Sequence, residues 1–287
     1  MKMNLALTLI FTFSGLLGCK VSYNKNITPG GAWGNEYPGV YLNAKVCLEG
    51  AGPFPMSTAL KNNSTLPFVT PYTLAKPWYH YSIADKALKN PGTYISLPWV
   101  DWVLVEIYNK SEDGSYLIVD AQSALLHENG SLYSSTATQS LYFANLWPGN
   151  YFINIKHRNH LAIATQNAVA LSIQNYSEID PLVFDVDFTN PQTVLTGNFS
   201  SLVGNQCLAA GDVNNDNLID SSDLAAINSQ VNAIFTAAPD LTKLNGYFAG
   251  DVNLDNSITV DTSLSTSDHV IIFANDGLTT LVHPNAP

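Results

Sequence analysis

The sequence predicts a mostly β fold in which a β-sandwich is followed by a small α-helical domain. Short stretches of alternating apolar and polar residues, beginning with residues 41–49, indicate half-buried strands through the middle of the chain. The C-terminal segment differs in charge, because residues 205–287 hold ten Asp and one Lys, a net of −9, against −2 for residues 1–204. We therefore predict a sandwich domain over residues 41–204 and a helical domain over residues 205–287.

Six further strands are predicted after residues 41–49, separated by turn signals such as Asp-Gly, Asn-Gly and Pro-Gly. Seven short strands at this spacing fit a sandwich of the immunoglobulin-like type. Residues 50–98 are predicted to form a long surface excursion, either a binding loop or a packed loop. The six strands are predicted at residues 101–109, 116–126, 139–144, 149–157, 166–173 and 182–188.

The composition excludes two classes of protein. The chain has 287 residues, 46% hydrophobic and 12% charged, which supplies ample material for a core and excludes a disordered chain. Its net charge is −11 and Arg158 is the single arginine. Phosphate binding needs a basic surface, so nucleic acid is excluded as an expected partner.

The N-terminus predicts export. Met1 and Lys2 precede an apolar stretch at residues 5–17, so residues 1–18 are predicted to be a signal peptide. Its last residues, Leu16-Leu17-Gly18-Cys19, resemble the lipobox of bacterial lipoproteins. The resemblance implies lipidation of Cys19, a tether over residues 19–40, and a lipid-anchored location at the outer membrane or cell surface. An ordinary secretory signal with an incidental cysteine is the alternative.

Two cysteines remain if Cys19 carries lipid. In an oxidising compartment an isolated pair is expected to form a disulfide, which would join Cys47 in the first predicted strand to Cys207 before the acidic segment. Two unpaired thiols are the alternative.

The first Asp-rich loop has the spacing of a calcium site. Oxygen-bearing side chains stand at loop positions 1, 3, 5, 9 and 12, and Asn217 takes position 6, where a left-handed conformation is needed. Ca²⁺ prefers six to eight oxygen ligands, and this spacing is the EF-hand pattern. An apolar helix is predicted at residues 224–233. The predicted ligands are Asp212, Asn214, Asp216, the backbone carbonyl of Leu218, Asp220 and Asp223.

A second copy of the loop begins 39 residues later, and this internal repeat argues against coincidence. Its closing ligand is displaced, because position 12 is Thr262. Asp268 stands before an apolar helix pattern, as Asp223 does, and is the first candidate for the closing ligand, with Asp261 as the alternative. The sequence thus predicts two Ca²⁺ ions. The second set of ligands is Asp251, Asn253, Asp255, Ser257, Thr259 and Asp268.

Three resemblances follow from these motifs. Residues 211–277, with paired Asp-Val-Asn-x-Asp loops each followed by a helix, resemble type I dockerin-like domains. The Leu-x-Pro-Gly-x-Tyr pattern at residues 146–151 resembles a strand entry of transthyretin-like modules. Residues 100–106 and 156–162 resemble segments of secreted and surface proteins of Bacteroidota of unassigned function. Together they imply an immunoglobulin/transthyretin-like β-sandwich followed by a dockerin-like domain, and they imply no substrate.

The sequence holds few residue patterns that are typical of catalytic sites. His157 and His160 are expected to point to opposite faces of one strand and to be structural. Asp101, Glu106 and Asp120 lie among aromatic residues, but no pattern pairs them as glycosidase carboxylates. Seven aromatic residues would either stack on sugars or fill a core: Trp33, Tyr37, Tyr41, Tyr72, Trp78, Tyr79 and Tyr81.

These observations predict a non-enzymatic surface lipoprotein. We expect it to act as an accessory or scaffold subunit of an outer-membrane protein complex, with a protein partner and a lipid anchor in the membrane. The alternative is a carbohydrate-binding surface lipoprotein or adhesin, and a glycan-cleaving enzyme is a third, weaker reading.

Overall fold

A six-stranded antiparallel sheet forms the centre of the fold. The structure, a computed structural model, describes residues 39–72, 96–144, 146–171, 186–194, 200–202, 204–235, 243–259 and 265–279. The chain divides into two compact units, residues 1–35 and 36–287. The first unit lies outside the described residues, as do the predicted signal peptide, Cys19 and nearly all of the predicted tether.

The described strands are β1 (Val40–Leu42), β2 (Ala44–Lys45), β3 (Trp99–Lys110), β4 (Tyr116–His127), β5 (Leu132–Tyr133), β6 (Leu141–Phe143), β7 (Gly149–His157), β8 (His160–Ala164), β9 (Val169–Leu171), β10 (Val186–Asp187), β11 (Ser200–Leu202), β12 (Asn205–Cys207), β13 (Leu244–Asn245) and β14 (Ser257–Ile258).

The central sheet has the order β5-β4-β3-β7-β8, and β9 pairs with the other end of β7. Strand β3 is rich in β-branched and aromatic residues, and its first ten residues are buried, as expected of a strand covered on both faces. Among the described residues, four short pairs lie outside this sheet. Three are antiparallel, β1–β6, β11–β12 and β13–β14, and one is parallel, β2–β10. The predicted mostly β fold is therefore confirmed, with antiparallel sheets that are consistent with a β-sandwich.

The strands predicted at residues 101–109, 116–126 and 149–157 correspond to β3, β4 and β7. The strand predicted at residues 139–144 is shortened to β6. Of the strand predicted at residues 166–173, residues 166–171 are described and contain β9, and only residues 186–188 of the last predicted strand are described. Strand β8 was not predicted. It follows β7 after a two-residue turn and pairs with it, which the sequence does not mark with glycine or proline.

The prediction of one half-buried strand at residues 41–49 is wrong. The segment is divided into β1, β2 and a single bridge from Leu48 to Leu208. Both of its faces are buried, because Asn43 and Cys47 are only 6% and 1% exposed. The division arises because β1 pairs with β6 whereas β2 pairs with β10, so successive residues join different neighbours.

Three helices are described: α1 (Ala59–Asn62), α2 (Ser221–Phe235) and α3 (Asp268–Ala274). Within the part of the chain that the structure describes, no helix has the length and apolar character needed to cross a bilayer.

The first part of the predicted surface excursion is packed into the core. Met56, Leu60 and Leu66 are almost fully buried, and Leu60 lies on α1. Residues 50–72 are thus anchored to the core, although Phe68 and Val69 are 52% and 53% exposed. Residues 73–95, which include Trp78, Tyr79 and Tyr81, lie outside the described residues.

The described residues form two hydrophobic cores, whose buried members divide at a point in the chain just after β12, except for Leu161 in the smaller core and Leu254 in the larger one. Leu208 belongs to the larger core, which contains Trp99 and Trp102, whereas Ala209 belongs to a smaller core with Ile219 and Ile258. We call residues 39–208 the β body and residues 209–279 the C-terminal loop pair. The change of core falls four residues after the predicted boundary at residue 204, because β12 still pairs with β11.

Cys47 and Cys207 are joined by a disulfide, with Cα atoms 4.5 Å apart and 160 positions between them in the chain. A cross-link that closes so long a loop removes about 5 kcal/mol of conformational freedom from the unfolded chain in the chain-entropy model. Cys207 directly precedes the segment that enters the loop pair, so the bridge fixes that segment to the β body.

Candidate metal centres

The first candidate centre is loop 1, residues 212–223. The carboxylate of Asp212 accepts hydrogen bonds from the backbone amides of Asp216 at 3.1 Å and Asn217 at 3.3 Å. These bonds curl the loop over its first residue. The curl requires left-handed backbone at Asn215 and Asn217, whose φ angles are +60° and +71°, and asparagine adopts this region more readily than most residues. The left-handed conformation predicted for Asn217 is confirmed.

The loop is closed from its other end by Asp223, in the first turn of α2. One oxygen of this carboxylate accepts from the amides of Val213 at 2.7 Å and Asn214 at 3.1 Å, and the other accepts from Asp220 at 2.9 Å. The side chain of Asp223 therefore lies against the start of the loop, ten residues earlier.

The second candidate centre is loop 2, residues 251–268, and it repeats these bonds residue by residue. Asp251 accepts from the amides of Asp255 at 3.1 Å and Asn256 at 3.0 Å, as Asp212 does from its own positions 5 and 6. Asp268 takes the place of Asp223. It accepts from the amides of Val252 at 2.7 Å, Asn253 at 3.3 Å and Thr259 at 2.7 Å.

The sequence left two candidates for the closing ligand of loop 2, Asp268 and Asp261, and the position of Asp268 bears on this choice. The six extra residues of loop 2 fall between Thr259 and Asp268, and the chain returns so that Asp268 begins α3 just as Asp223 stands in the first turn of α2. Asp261, the other candidate, lies outside the described residues.

The two loops are tied to each other by reciprocal pairing. The chain after α2 returns as β13 and pairs with loop 2, placing Leu244 opposite Ile258. The chain after α3 pairs in the same way with loop 1, where the amide of Ile219 donates to the carbonyl of Leu278 at 2.9 Å. Ile219 and Ile258 stand at the same loop position, and both are buried in the smaller core. Neither loop is complete without the other repeat.

The carboxylates that begin and close the loops carry unusual pKa values. Burial, followed by the neighbouring charge of Asp223, raises the pKa of Asp212 to about 7. Burial raises the pKa of Asp251 to about 8 and that of Asp268 to about 7, and it also raises the pKa of Asp223. In the described part of the chain none of the four forms an ion pair with Lys or Arg. A bound cation would supply the missing positive charge.

The donor set suits calcium rather than a metal that needs several side chains at close range. Among the described residues, no three His, Cys, Asp or Glu side chains converge closely enough to hold a metal ion by themselves. Any metal in these loops would also need the amide oxygens of Asn214 or Asn253, a backbone carbonyl, or water. Ca²⁺ accepts such mixed oxygen ligands. The other predicted ligands Asp216, Leu218, Asp220, Asp255, Ser257 and Thr259 lie along the same two loops.

The raised pKa values predict that calcium affinity increases with pH. Binding requires ionised carboxylates, so below the pKa of each carboxyl the affinity should rise by up to roughly tenfold per pH unit for each proton displaced, and it should level off above pH 8, where the carboxyls are already ionised. The metal-free protein should show the opposite trend in stability. A carboxyl whose folded pKa is about 7 or 8 stabilises the fold at low pH, and this contribution is lost as pH rises through that value.

Thermal unfolding between pH 6.5 and 8.5, with calcium and with EDTA, measures both trends. The trend is read between pH 7.5 and 8.5, at least one pH unit above the ordinary histidine pKa of 6.5, where the buried histidines are almost entirely neutral in both the folded and unfolded states and contribute little. A metal-free midpoint that rises towards pH 8.5 would contradict the assignment of raised pKa values.

The expectation that His157 and His160 point to opposite faces is wrong. They do not lie on one strand, because His157 ends β7 and His160 begins β8. The turn between the strands brings their Nδ1 atoms to 2.9 Å from each other. His157 Nε2 lies 3.1 Å from a carboxylate oxygen of Asp101, and His160 Nε2 accepts from the amide of Gly50. Both rings are buried, and burial lowers the pKa of each.

The remaining candidate carboxylates are all buried. Asp101 is 0% exposed, Glu106 2% and Asp120 5%. Asp101 accepts from Arg158 at 2.9 Å, and Glu106 accepts from Lys156. These contacts give each of the two carboxylates a structural partner that the sequence did not reveal.

The aromatic residues are divided between core and surface. The hydroxyl of Tyr72 donates to the carbonyl of Trp102 at 3.2 Å, so its ring lies against the β body. Tyr41 stacks on Tyr142 with ring centroids 4.8 Å apart, and Tyr142 is 43% exposed. Trp33 and Tyr37 lie outside the described residues.

No protein family, curated protein or solved structure matches this chain.

Proposed function

We propose that this chain is a non-enzymatic, calcium-stabilised surface lipoprotein that serves as an accessory or scaffold subunit of an outer-membrane protein complex. One observation supports the calcium sites above all others. Five backbone hydrogen bonds to two carboxylates in loop 1 recur at equivalent positions in loop 2, although loop 2 is six residues longer. A solvated acidic loop would not need this conserved geometry.

Calcium would act here as part of the fold. Each loop holds two buried carboxylates together with an exposed one, Asp216 or Asp255. Among the described residues none of the buried four forms an ion pair with Lys or Arg, although the charge of Arg158 partly offsets the effect of burial on the pKa of Asp251. A divalent cation offsets their repulsion and joins the beginning of the loop to the start of the helix. The loop-then-helix units on a shared core support a dockerin-like domain after an immunoglobulin/transthyretin-like sandwich.

The surface location rests on the sequence. The signal peptide and the lipobox-like residues before Cys19 support export and lipidation. The disulfide between Cys47 and Cys207 supports an oxidising compartment.

Isothermal titration calorimetry with calcium tests the two sites. The wild-type protein should bind two Ca²⁺ ions, and Asp268→Asn should weaken one of them about tenfold or more, because it removes a charge from the closing position. Asp261→Asn is the matched control and should leave both sites unchanged. Loss of a site in the control alone would show that Asp261 closes loop 2, and absence of any calcium binding would refute the proposal.

A second experiment tests the role in assembly. The lipidated protein, isolated from native membranes with calcium or with EDTA, should retain a stoichiometric protein partner only in calcium. Recovery of the protein alone would favour the carbohydrate-binding alternative. In that case the exposed Tyr142, stacked on Tyr41, is the first described residue to substitute in a glycan-binding assay.

A further inference from the structure

The two loops differ in their surroundings although their internal bonds agree. In loop 1, the side chains at positions 4 and 6, Asn215 and Asn217, are exposed. In loop 2 the same positions are Leu254 and Asn256, and both are buried, at 1% and 9% exposed. The sequence repeat conceals this difference, because it arises from what packs on the loops.

Loop 2 is inserted into the β body. Leu254 belongs to the larger core, with a left-handed φ of +54° that is unusual for a leucine. The hydroxyl of Thr65 donates to the Asn256 side chain at 2.5 Å. Gly50 lies so close to the carbonyl of Val252 that a Cβ atom at position 50 would overlap that oxygen. Gly50 and Thr65 of the β body therefore contact loop 2 at its second and sixth positions, and its fourth position enters the larger core.

The turn between β7 and β8 holds the beginning of loop 2. The side-chain amide of Asn159 donates to the carbonyls of Ala249 at 2.8 Å and Asp251 at 2.7 Å. Arg158 donates from its guanidinium to the carbonyl of Phe248. Asp251 is the first calcium ligand of loop 2, so this turn directly positions a ligand residue.

Two hydrogen bonds join the same turn to loop 1 and to the residue before it. The side chain of Asn215 donates to the carbonyl of Arg158 at 3.0 Å, and the amide of Gly211 donates to the carbonyl of Asn159 at 2.9 Å. Asn215 is an exposed residue of loop 1, and Gly211 precedes the loop. In the described residues no side chain of loop 1 belongs to the larger core.

The turn itself is fixed by Asp101 of the β body together with Tyr247 of the loop pair. Asp101, fully buried, accepts from Arg158 at 2.9 Å and from the hydroxyl of Tyr247 at 2.7 Å, and it lies 3.1 Å from His157 Nε2. The guanidinium of Arg158 also lies over the Tyr247 ring, 4.2 Å from its centroid. A rearrangement of loop 2 would therefore be transmitted to the turn rather than absorbed by it.

We infer that loop 2 is the calcium site that fastens the C-terminal loop pair to the β body, and that Asn159 is a positioning residue for its calcium ion. Loop 1 binds calcium at the surface without this role. The inference rests on the proposed calcium sites and assigns them different tasks. Because coupling is reciprocal, calcium in loop 2 strengthens docking of the loop pair, and docking strengthens calcium binding in loop 2.

A matched pair of substitutions separates the two loops. Asp216→Asn and Asp255→Asn remove the same charge from position 5 of loop 1 and loop 2, and both side chains are exposed. Amide hydrogen exchange is measured by mass spectrometry over residues 157–161, where Leu161 donates to Ala209. Calcium should slow this exchange at least tenfold in the wild type and in Asp216→Asn. In Asp255→Asn the slowing should be lost at the same calcium concentration.

The reciprocal measurement uses Asn159→Ala. It should lower calcium affinity about tenfold at one site and leave the other unchanged. Asn43→Ala is the control, because it removes another buried asparagine of the β body, which accepts from Ser140. A purely structural role for Asn159 would instead lower the thermal midpoint equally with calcium and with EDTA, and would leave both affinities as in the wild type.

The outcomes distinguish the two proposals. If the wild type binds no calcium, the calcium sites themselves are refuted. If it binds two ions but Asp216→Asn and Asp255→Asn have the same effect on residues 157–161, the special role of loop 2 is overturned. Unchanged calcium affinities in Asn159→Ala would overturn the positioning role of that residue.

Discussion

Removal of calcium with EDTA is expected to lower the thermal midpoint by roughly 10 °C or more. A ligand present at a thousand times its dissociation constant stabilises the folded state by about 4 kcal/mol per site. For a folded unit of this size each kcal/mol shifts the midpoint by about 2–4 °C. The physical reason is the repulsion among buried carboxylates with raised pKa values, Asp212 and Asp223 in loop 1 and Asp251 and Asp268 in loop 2.

The midpoint is measured by circular dichroism or differential scanning calorimetry. The control is the same measurement with magnesium in place of calcium at equal concentration. Mg²⁺ is smaller and demands octahedral geometry, so it should restore little of the lost stability. Melting curves that coincide with calcium and with EDTA would show that the loops hold their structure without a metal.

Asp101→Asn is expected to destabilise the protein by about 3–5 kcal/mol, because it leaves Arg158 buried without its anionic partner. Burial alone would raise the pKa of Asp101, but the charge of Arg158 and the hydrogen bonds with His157 and Tyr247 outweigh it and lower the pKa to about 2. The carboxylate is thus ionised throughout the physiological range. Its loss should loosen the β7–β8 turn and, with it, the contact with loop 2.

The control for this substitution is Asp113→Asn in the exposed turn between β3 and β4, where the carboxylate accepts only from Ser115. It should change the free energy of unfolding by well under about 1 kcal/mol. Urea unfolding of both variants measures the difference. Equal stabilities would mean that the Asp101 network does not contribute to folding.

The sequence was most informative where structure is local. Each loop is a run of oxygen-bearing residues at fixed spacing, and its backbone conformation follows from bonds within ten or so positions, so the left-handed Asn217 was predictable. Strands β3, β4 and β7 were found for the same reason, since their apolar and β-branched residues are continuous in the chain. The assignment of residues 41–49 failed because β1 and β2 choose their partners more than ninety positions away.

The sequence by itself determined the two Asp-rich loops, the mostly β composition of the body and the candidate pair of cysteines. The tertiary structure alone decided that positions 4 and 6 are buried in loop 2 and exposed in loop 1, and that Arg158 and Asn159 contact both repeats. These features depend on contacts between segments more than fifty residues apart. No local pattern encodes which surface a loop will meet, because that choice is set by the packing of the whole chain.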